Sequence, residues 1–384
     1  MIKLNFKRVP LWILDEMPKS KFDFPWPLQN STLDISLFAA YITEPCGFAF
    51  QCLYDNVNGF ADYFVQYWAI IASRFSGNKA ILGYELLNEP WAGDIYANPL
   101  LLLPGFAGHF NLMKLYDKTH ESIRLYDSET LVFYEPVTWG VLLNANYFGT
   151  GFLRPPGNDK QKTVFSWHYY CWLLQFAKNP LVNGSYPYFE KTFCDNIQLE
   201  ASFQSVKIDL LTLGSGPSFL SEFGVCSFLR EDGTLNTDEC KAILNMNDKY
   251  FQSWTYWDSR FYTDDGQYII DDIVDIFSRV YPMATNGIPQ FLHFNTSTKH
   301  FVYIYELNIT SVEQAYYPTE VFIPQHVYPS GFKVVIGVHY KWSFDNQENI
   351  LYINLSDEVM NQFQLNKTYG FFHKCKVSIF SLNN

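Results

Sequence analysis

The sequence is poor in positive charge and has no apolar run of membrane-spanning length. Its 384 residues include 27 Lys and Arg against 39 Asp and Glu, so the net charge is −12. Nucleic-acid binding needs basic side chains that neutralise phosphates, and this balance therefore argues against a nucleic-acid partner. The apolar run at residues 99–104 is much shorter than the roughly 20 residues of a transmembrane helix.

The sequence also lacks the cysteine spacing of a metal site. Its seven cysteines include no Cys-x-x-Cys pair, so neither a zinc site nor a cofactor is expected. Three pairs are close enough in sequence to close loops as disulfides, although the sequence leaves the pairing open: Cys46 with Cys52, Cys171 with Cys194, and Cys226 with Cys240.

Six Asn-x-Ser/Thr acceptors bear on the compartment. With possible loop disulfides, they favour a secreted or lysosomal protein. Residues 1–10 do not have the pattern of a signal peptide, because charges and a proline interrupt them. The acceptors are Asn30, Asn183, Asn295, Asn308, Asn354 and Asn366.

Residues 81–91, with the sequence ILGYELLNEPW, are the most informative stretch of the chain. A short apolar run is typical of a strand that is buried on both faces. Pro90 disfavours helical geometry at Glu89 and ends the strand there. A carboxylate at the carboxyl end of a buried parallel strand occupies the catalytic position of a (β/α)8 barrel.

Residues 218–224, with the sequence SFLSEFG, repeat this pattern and end at Glu222. The spacing of 222 − 89 = 133 residues accommodates roughly three βα units. Two Glu residues on such strand ends could face each other across a barrel mouth. Glycoside hydrolysis with retention needs such a pair, an acid/base and a nucleophile, about 5 Å apart.

The pattern predicts an α/β fold of the (β/α)8 TIM-barrel type that is incomplete, plus a β-sandwich. After an irregular loop over residues 1–50, helices are predicted at 57–76 and 109–127. The strand that ends at Glu89 and those at 131–135, 164–170, 219–222 and 252–257 make five, whereas a closed barrel needs eight.

From about residue 284 the pattern changes to short, alternating β-branched and aromatic segments, which is typical of an antiparallel β-sandwich. We therefore predict a catalytic domain at residues 1–283 and a sandwich domain at residues 284–384. The predicted sandwich strands are residues 291–294, 301–307, 320–324, 333–338, 350–355 and 376–380.

Four motifs occur in order along the chain: GYELLNEPW at 83–91, SWHYYCW at 166–172, SEFG at 221–224 and SWTYW at 253–257. Together they resemble those of the endoglycoceramidases of glycoside hydrolase family 5. The segments at 41–56 and 101–105 are also similar to that family. The resemblance implies a (β/α)8 barrel with a β-sandwich, and retaining hydrolysis of the β-glycosidic bond between oligosaccharide and ceramide.

The resemblance also implies roles for six residues, carried over by motif position. Glu89 matches the acid/base and Glu222 the nucleophile. The other four match substrate-binding residues: Asn88 on the sugar 2-hydroxyl, His168 and Tyr170 as a His-x-Tyr pair, and Trp257 as a sugar platform. Trp254, three residues earlier, is interpreted as core.

Two further carboxylates and one apolar run have less defined roles. Glu85 is interpreted as structural, because a buried ionised Glu must be paired. Glu135 ends a strand, and the sequence supports a contact with substrate and the absence of such a contact equally. The run at 100–104 lines a ceramide channel or is an ordinary buried loop, and a lipid substrate implies peripheral contact with a membrane or micelle.

The sequence departs from the family in one respect. The family's first three barrel strands would precede the region of Val9, and this sequence begins almost at that point. Alternatives therefore stay open. The chain could be an endoglycoceramidase, another glycolipid β-glycosidase of the galactosylceramide type, or an inactive glycolipid-binding isoform.

Overall fold

The computed structural model describes residues 16–28, 37–138, 149–175, 179–214, 216–258, 261–263, 266–366 and 370–382. Asn30 and parts of the predicted irregular loop lie outside them. The chain divides into two compact units, a first unit of Met1–Tyr169 with Glu200–Glu222 and a second unit of Tyr170–Leu199 with Phe223–Asn384.

In the part of the chain that the structure describes, seven strands precede the predicted sandwich. They are β1 Gly83–Glu85, β2 Leu131–Tyr134, β3 Thr163–Tyr169, β4 Ser218–Phe223, β5 Phe228–Leu229, β6 Leu235–Asn236 and β7 Ser253–Tyr256. Within the described residues, five of them form one sheet in the order β1-β2-β3-β4-β7, and the β1–β2 and β2–β3 pairs run parallel. The five predicted strands are therefore confirmed, as an incomplete (β/α)8-type barrel.

In the described residues, helices lie between β1 and β2, between β3 and β4, and between β6 and β7, as the alternating pattern predicts. The helices of this region are α1 Leu37–Tyr41, α2 Glu44–Tyr54, α3 Phe60–Phe75, α4 Met113–Arg124, α5 Trp172–Gln175, α6 Tyr188–Thr192, α7 Glu200–Thr212, α8 Asp238–Tyr250 and α9 Asp271–Phe277. The prediction of an irregular loop throughout residues 1–50 is wrong for α1 and the start of α2. Pro45 lies in the first turn of α2, where a proline fits a helix, since the N–H that it lacks has no partner there.

The strand β1 packs tightly against its neighbours in the first unit. It pairs with β2 in the register Gly83 to Leu131, and the Trp68 indole of α3 donates to the Leu86 carbonyl at 3.1 Å. A Cβ on Gly83 would lie 2.2 Å from the Phe133 ring and 2.8 Å from the Leu131 carbonyl oxygen. Glycine is therefore required where β1 passes β2.

We expect Gly83→Ala to lower the free energy of unfolding by about 1–3 kcal/mol, because the added methyl group overpacks this contact. Urea denaturation measures the change. Gly337→Ala is the matched control, since its Cβ would meet nothing nearer than the Tyr340 ring at 3.8 Å. Equal midpoints for the two variants would contradict the expectation.

The carboxyl-terminal part contains two four-stranded antiparallel sheets, in the orders β12-β15-β10-β9 and β13-β14-β11-β8. These strands are β8 Tyr281–Ala284, β9 Ile288–Asn295, β10 His300–Ile309, β11 Thr319–Phe322, β12 Phe332–Ile336, β13 Tyr340–Asp345, β14 Ile350–Leu355 and β15 Phe371–Ser381, with helices α10 Val312–Ala315 and α11 Asp357–Leu365. A shared apolar core includes Phe294, Phe301, Leu351 and Val377. The predicted sandwich is confirmed.

The strands β8 and β13 were absent from the prediction. Each is an edge strand of the same sheet and pairs with one neighbour, so each needs fewer apolar positions than a central strand. The predicted domain boundary at 283/284 falls within β8 and stays a prediction. In the described part of the chain, no helix is long and apolar enough to span a membrane.

Two of the three candidate cysteine pairs form disulfides. Cys171 is bonded to Cys194 and Cys226 to Cys240. Cys46 and Cys52 are free thiols and lie on α2, six positions apart. Helix neighbours on one face are three or four positions apart, so the helix separates these two side chains.

Candidate active site

Glu89 lies four residues beyond β1, which is shorter than predicted and ends at Glu85. The ladder continues for one residue, since the Leu86 amide donates to the Phe133 carbonyl at 3.0 Å. Glu89 then adopts a left-handed backbone conformation with φ of +46°. This conformation turns its amide towards β2, where it donates to Glu135 Oε2 at 3.1 Å.

Three predicted site residues come together in the first unit. His168, in β3, places Nδ1 3.1 Å from Glu89 Oε1 and 3.9 Å from Glu222 Oε2, which belongs to β4. One atom each of Glu89, His168 and Glu222 lies within 4.8 Å of the other two. The spacing of the two carboxylate oxygens is close to that of retaining glycosidases, whose carboxyl groups are about 5–5.5 Å apart.

The other ring nitrogen of His168 faces Glu135. Nε2 lies 3.3 Å from Glu135 Oε1, so carboxylates face both sides of the ring. Burial alone would lower the pKa of His168, but Glu135, Glu89 and Glu222 together raise it well above its usual value. The carboxylates on both sides of the ring therefore favour the protonated, imidazolium form of His168.

Glu135 and Glu85 form the inner side of this cluster. Glu135 is 3% exposed, and burial raises its pKa to about 7 although the charge of His168 opposes the shift. Glu85 places one oxygen within 4.8 Å of atoms of Glu135 and His168. The interpretation of Glu85 as structural agrees with this position, whereas the possible substrate contact of Glu135 does not fit its burial.

The loop after Glu89 is held by groups that the sequence did not single out individually. Tyr54 of α2 donates to the Trp91 carbonyl, and Asn111 Nδ2 donates to the Ala92 carbonyl at 2.7 Å. The Asp94 amide donates to Gln51 Oε1 at 3.3 Å. The only sequence signal was the family-like segment at 41–56, which contains Gln51 and Tyr54.

The remaining predicted site residues are Asn88, Tyr170 and Trp257. Asn88 is exposed and precedes Glu89. Tyr170 and Trp257 belong to the second unit, where both border Gly224: a Cβ on that glycine would lie 1.9 Å from the Trp257 carbonyl oxygen and 3.4 Å from the Tyr170 ring. Trp257 is 57% exposed at the end of β7, as a sugar platform requires.

Trp254 behaves as predicted. It is half-buried, and its ring lies 5.6 Å from that of Phe223 and 5.7 Å from that of Phe277, measured between centroids. Of the two tryptophans, the one within β7 therefore packs against other rings, and the one directly after β7 is exposed.

The apolar run at 100–104 is not an ordinary buried loop. Leu101 is buried, but Leu100, Leu102 and Leu103 are each about half exposed, at 51%, 47% and 53%. Phe110 adds a further exposed ring on the following turn, Gly108–Leu112. We call Leu100, Leu102, Leu103 and Phe110 the leucine surface.

Two groups of side chains in the site have the spacing of metal ligands: Glu89, His168 and Glu222, and Glu85, Glu135 and His168. A metal needs a neutral imidazole with a free lone pair. Nδ1 of His168 is hydrogen-bonded to Glu89 Oε1 at 3.1 Å, so a metal at this nitrogen would have to replace that bond.

Two family profiles match the chain. Residues 49–262 match the profile described as Cellulase (glycosyl hydrolase family 5), which covers more than half of the chain, and residues 279–366 match that of the Glycoside hydrolase family 5 C-terminal domain.

Three similar proteins are named as endoglycoceramidases. An endoglycoceramidase of Hydra vulgaris is 29% identical over 388 residues, covering 94% of this chain and 67% of that protein. An endoglycoceramidase of Cyanea nozakii is 29% identical over 337 residues, covering 83% and 60%. Endoglycoceramidase I of Rhodococcus hoagii (strain 103S) is 26% identical over 298 residues, covering 74% and 53%. The chain thus spans roughly half to two thirds of the length of these relatives.

Solved structures agree on the fold. Endo-glycoceramidase II from Rhodococcus sp. in a ganglioside GM3 complex has a TM-score of 0.66 at 20% identity, covering 89% of this chain and 69% of that one. An endogalactoceramidase has a TM-score of 0.55 at 17% identity, covering 88% and 66%. At these identities the likeness establishes the fold alone.

Proposed function

The chain belongs to glycoside hydrolase family 5, and from this membership we propose that it is a retaining glycosidase that cleaves the bond between oligosaccharide and ceramide in glycosphingolipids. The observation that carries the proposal is the close approach of Glu89 and Glu222, with oxygens within 4.8 Å of each other. The names of the relatives support the substrate class.

In the proposed mechanism, the Glu222 carboxylate attacks the anomeric carbon while the glycosidic bond to the ceramide oxygen breaks and Glu89 gives that oxygen a proton. Glu89 then takes a proton from water, the water oxygen attacks the same carbon, and the bond to Glu222 breaks. Two carboxylates this close favour holding one proton between them, which supplies the acid and the nucleophile together.

The remaining predicted residues receive substrate-binding roles in this proposal. The His168 cation stabilises the negative charge of Glu222, from which its Nδ1 is 3.9 Å away. Asn88 binds the sugar 2-hydroxyl, Tyr170 acts as the second member of the His-x-Tyr pair, and Trp257 stacks on a sugar ring.

The test is an assay on a fluorescent ganglioside, with chromatography of both products. We expect release of intact oligosaccharide and ceramide in equal amounts, and a first-formed sugar with the β configuration by proton NMR. An α product would contradict the retaining mechanism. Tight binding without turnover would instead support the inactive glycolipid-binding alternative, and cleavage confined to galactosylceramide-type substrates the second alternative.

We further propose that the leucine surface contacts the membrane or micelle that carries the substrate. Exposed apolar side chains that lie close together in sequence gain free energy on entering lipid, at about 25 cal/mol per Å² of buried apolar area. The surface is otherwise an unexplained apolar patch on the protein.

The double variant Leu102→Ser/Leu103→Ser is expected to reduce turnover of vesicle-borne glycolipid about tenfold, because two half-exposed leucines lose about 1.4 kcal/mol of lipid contact. Hydrolysis of a water-soluble aryl β-lactoside should not change. Leu125→Ser is the matched control, since Leu125 is 80% exposed and lies outside the leucine surface. An equal loss on both substrates would contradict lipid contact.

A secreted or lysosomal location remains part of the proposal. The Cys171–Cys194 and Cys226–Cys240 disulfides support it, because such bonds persist in oxidising compartments. Peptide mapping without reductant on protein from its native source tests it, and free thiols at these four positions would oppose it.

A further inference from the structure

Glu135 belongs to this cluster of carboxylates. The resemblance assigns Glu135 no role, yet Glu135 makes two contacts in the site. Its Oε2 accepts the Glu89 amide at 3.1 Å, and its Oε1 lies 3.3 Å from His168 Nε2. At 3% exposure it has almost no access to solvent or substrate. Its position on β2 is fixed further by Tyr116, whose hydroxyl donates to the Glu135 carbonyl at 3.0 Å.

The first contact concerns the backbone of Glu89. The left-handed conformation is sparsely populated by non-glycine residues, so the surrounding structure must hold Glu89 there. The Glu135 carboxyl group supplies a buried acceptor for the Glu89 amide at 3.1 Å. This bond fixes the direction in which the Glu89 side chain leaves the backbone.

The second contact concerns the His168 ring. Nδ1 is hydrogen-bonded to Glu89 Oε1 at 3.1 Å and Nε2 lies at ion-pair distance, 3.3 Å, from Glu135 Oε1, so a carboxyl group faces each side of the ring. A donor is needed at each end, because ionised carboxylates only accept. The two acceptors thus determine both the rotation of the ring and its charge.

We propose that Glu135 is a positioning residue, which holds the left-handed backbone of Glu89 and keeps the His168 ring oriented and positively charged between Glu89 and Glu222. This inference rests on the proposed function for its catalytic meaning, and it adds a residue that does not touch the substrate. Glu135 acts through Glu89 and His168.

The other charged and titratable groups around His168 are consistent with this assignment. Glu85 adds negative charge near Glu135, and Glu89 and Glu222 face Nδ1. The Tyr116 phenol packs against Glu135 with its own pKa raised well above the usual value by burial. Removing the charge of Glu135 takes away a neighbour that raises the pKa of His168, so that pKa must fall.

Glu135→Gln is the main test, with two readouts. We expect kcat to fall about 10–100-fold, the loss associated with misplacing a reacting group by about 1 Å. Because His168 then loses its proton at lower pH, the alkaline limb of the kcat profile should move to lower pH. Glu129→Gln is the control, as Glu129 is an exposed surface carboxylate beside Lys162.

The second readout is independent of turnover. Ring nitrogen NMR of histidine-labelled protein, with the His168 signal assigned by its loss in His168→Gln, reports whether one or both nitrogens carry a proton. In the unaltered chain we expect both to be protonated from pH 5 to 8. In Glu135→Gln we expect deprotonation within that range.

A neutral His168 in the unaltered chain at pH 7 would overturn the assignment even if Glu135→Gln did not fold. So would an unchanged His168 titration in a folded Glu135→Gln. A conservative variant separates the two contacts: Glu135→Asp keeps the charge on a shorter side chain and should restore the His168 titration while kcat stays reduced.

The outcomes separate this inference from the proposed function. If the unaltered chain hydrolyses no glycolipid but the charge of His168 depends on Glu135, the proposed function fails and the positioning contact stands. If hydrolysis occurs and neither the pH profile nor the His168 signal responds to Glu135→Gln, the proposed function stands and the positioning role of Glu135 fails.

Discussion

Glu222→Gln is expected to lower kcat on a glycosphingolipid about 10⁴–10⁶-fold, the scale seen when a covalent nucleophile is removed. The amide keeps the shape of the side chain but cannot bond to the anomeric carbon and later leave as a carboxylate. Its position at the end of β4, facing the His168 cation at 3.9 Å, is where that bond would form. Single-turnover assays with excess enzyme measure such slow rates.

A covalent label gives this expectation a second test. A 2-deoxy-2-fluoro glycoside with a good leaving group should add one sugar to the unaltered chain, on the peptide that contains Glu222. Glu222→Gln should take up none, and the surface control Glu129→Gln should be labelled and fully active. Labelling of another carboxylate, or more than a tenth of normal activity in Glu222→Gln, would refute the nucleophile assignment.

Glu89→Gln is expected to lower kcat about 10²–10⁴-fold on glycolipid, the usual contribution of general acid catalysis. The size of the loss should depend on the leaving group. Ceramide departs as a primary alcohol, which needs a proton, whereas a dinitrophenolate is stable without one. Cleavage of a dinitrophenyl glycoside should therefore form the covalent intermediate at nearly the normal rate.

The same variant should then stall at the second step, because no base remains to activate water. A burst of dinitrophenolate equal to the enzyme concentration, followed by slow release, is the expected time course. A loss of the same size for both leaving groups would contradict the acid/base role and would point to a binding defect.

The sequence predicted the parts of the site that depend on strand ends. Glu89 and Glu222 follow apolar strands, and the carboxyl ends of parallel strands meet on one edge of a sheet, so their proximity followed from topology. His168 near the end of β3 meets them for the same reason. The family resemblance added the roles but not the distances.

What the sequence missed depends on local geometry that no periodic pattern encodes. The role of Glu135 arises because Glu89 turns into the left-handed region and directs its amide towards β2. Cys46 does not form a disulfide with Cys52 because both lie on α2, the start of which was predicted to be a loop. The edge strands β8 and β13 pair on one side only, which weakens the apolar alternation that marks a strand.

The left-handed backbone of Glu89 also bears on how this protein could evolve. An L-amino acid in that conformation costs about 1–2 kcal/mol, and glycine would adopt it without the penalty. Selection for heat tolerance alone would therefore favour replacing the residue that supplies the proton. A lineage that had lost the reaction but kept glycolipid binding should therefore drift towards glycine here.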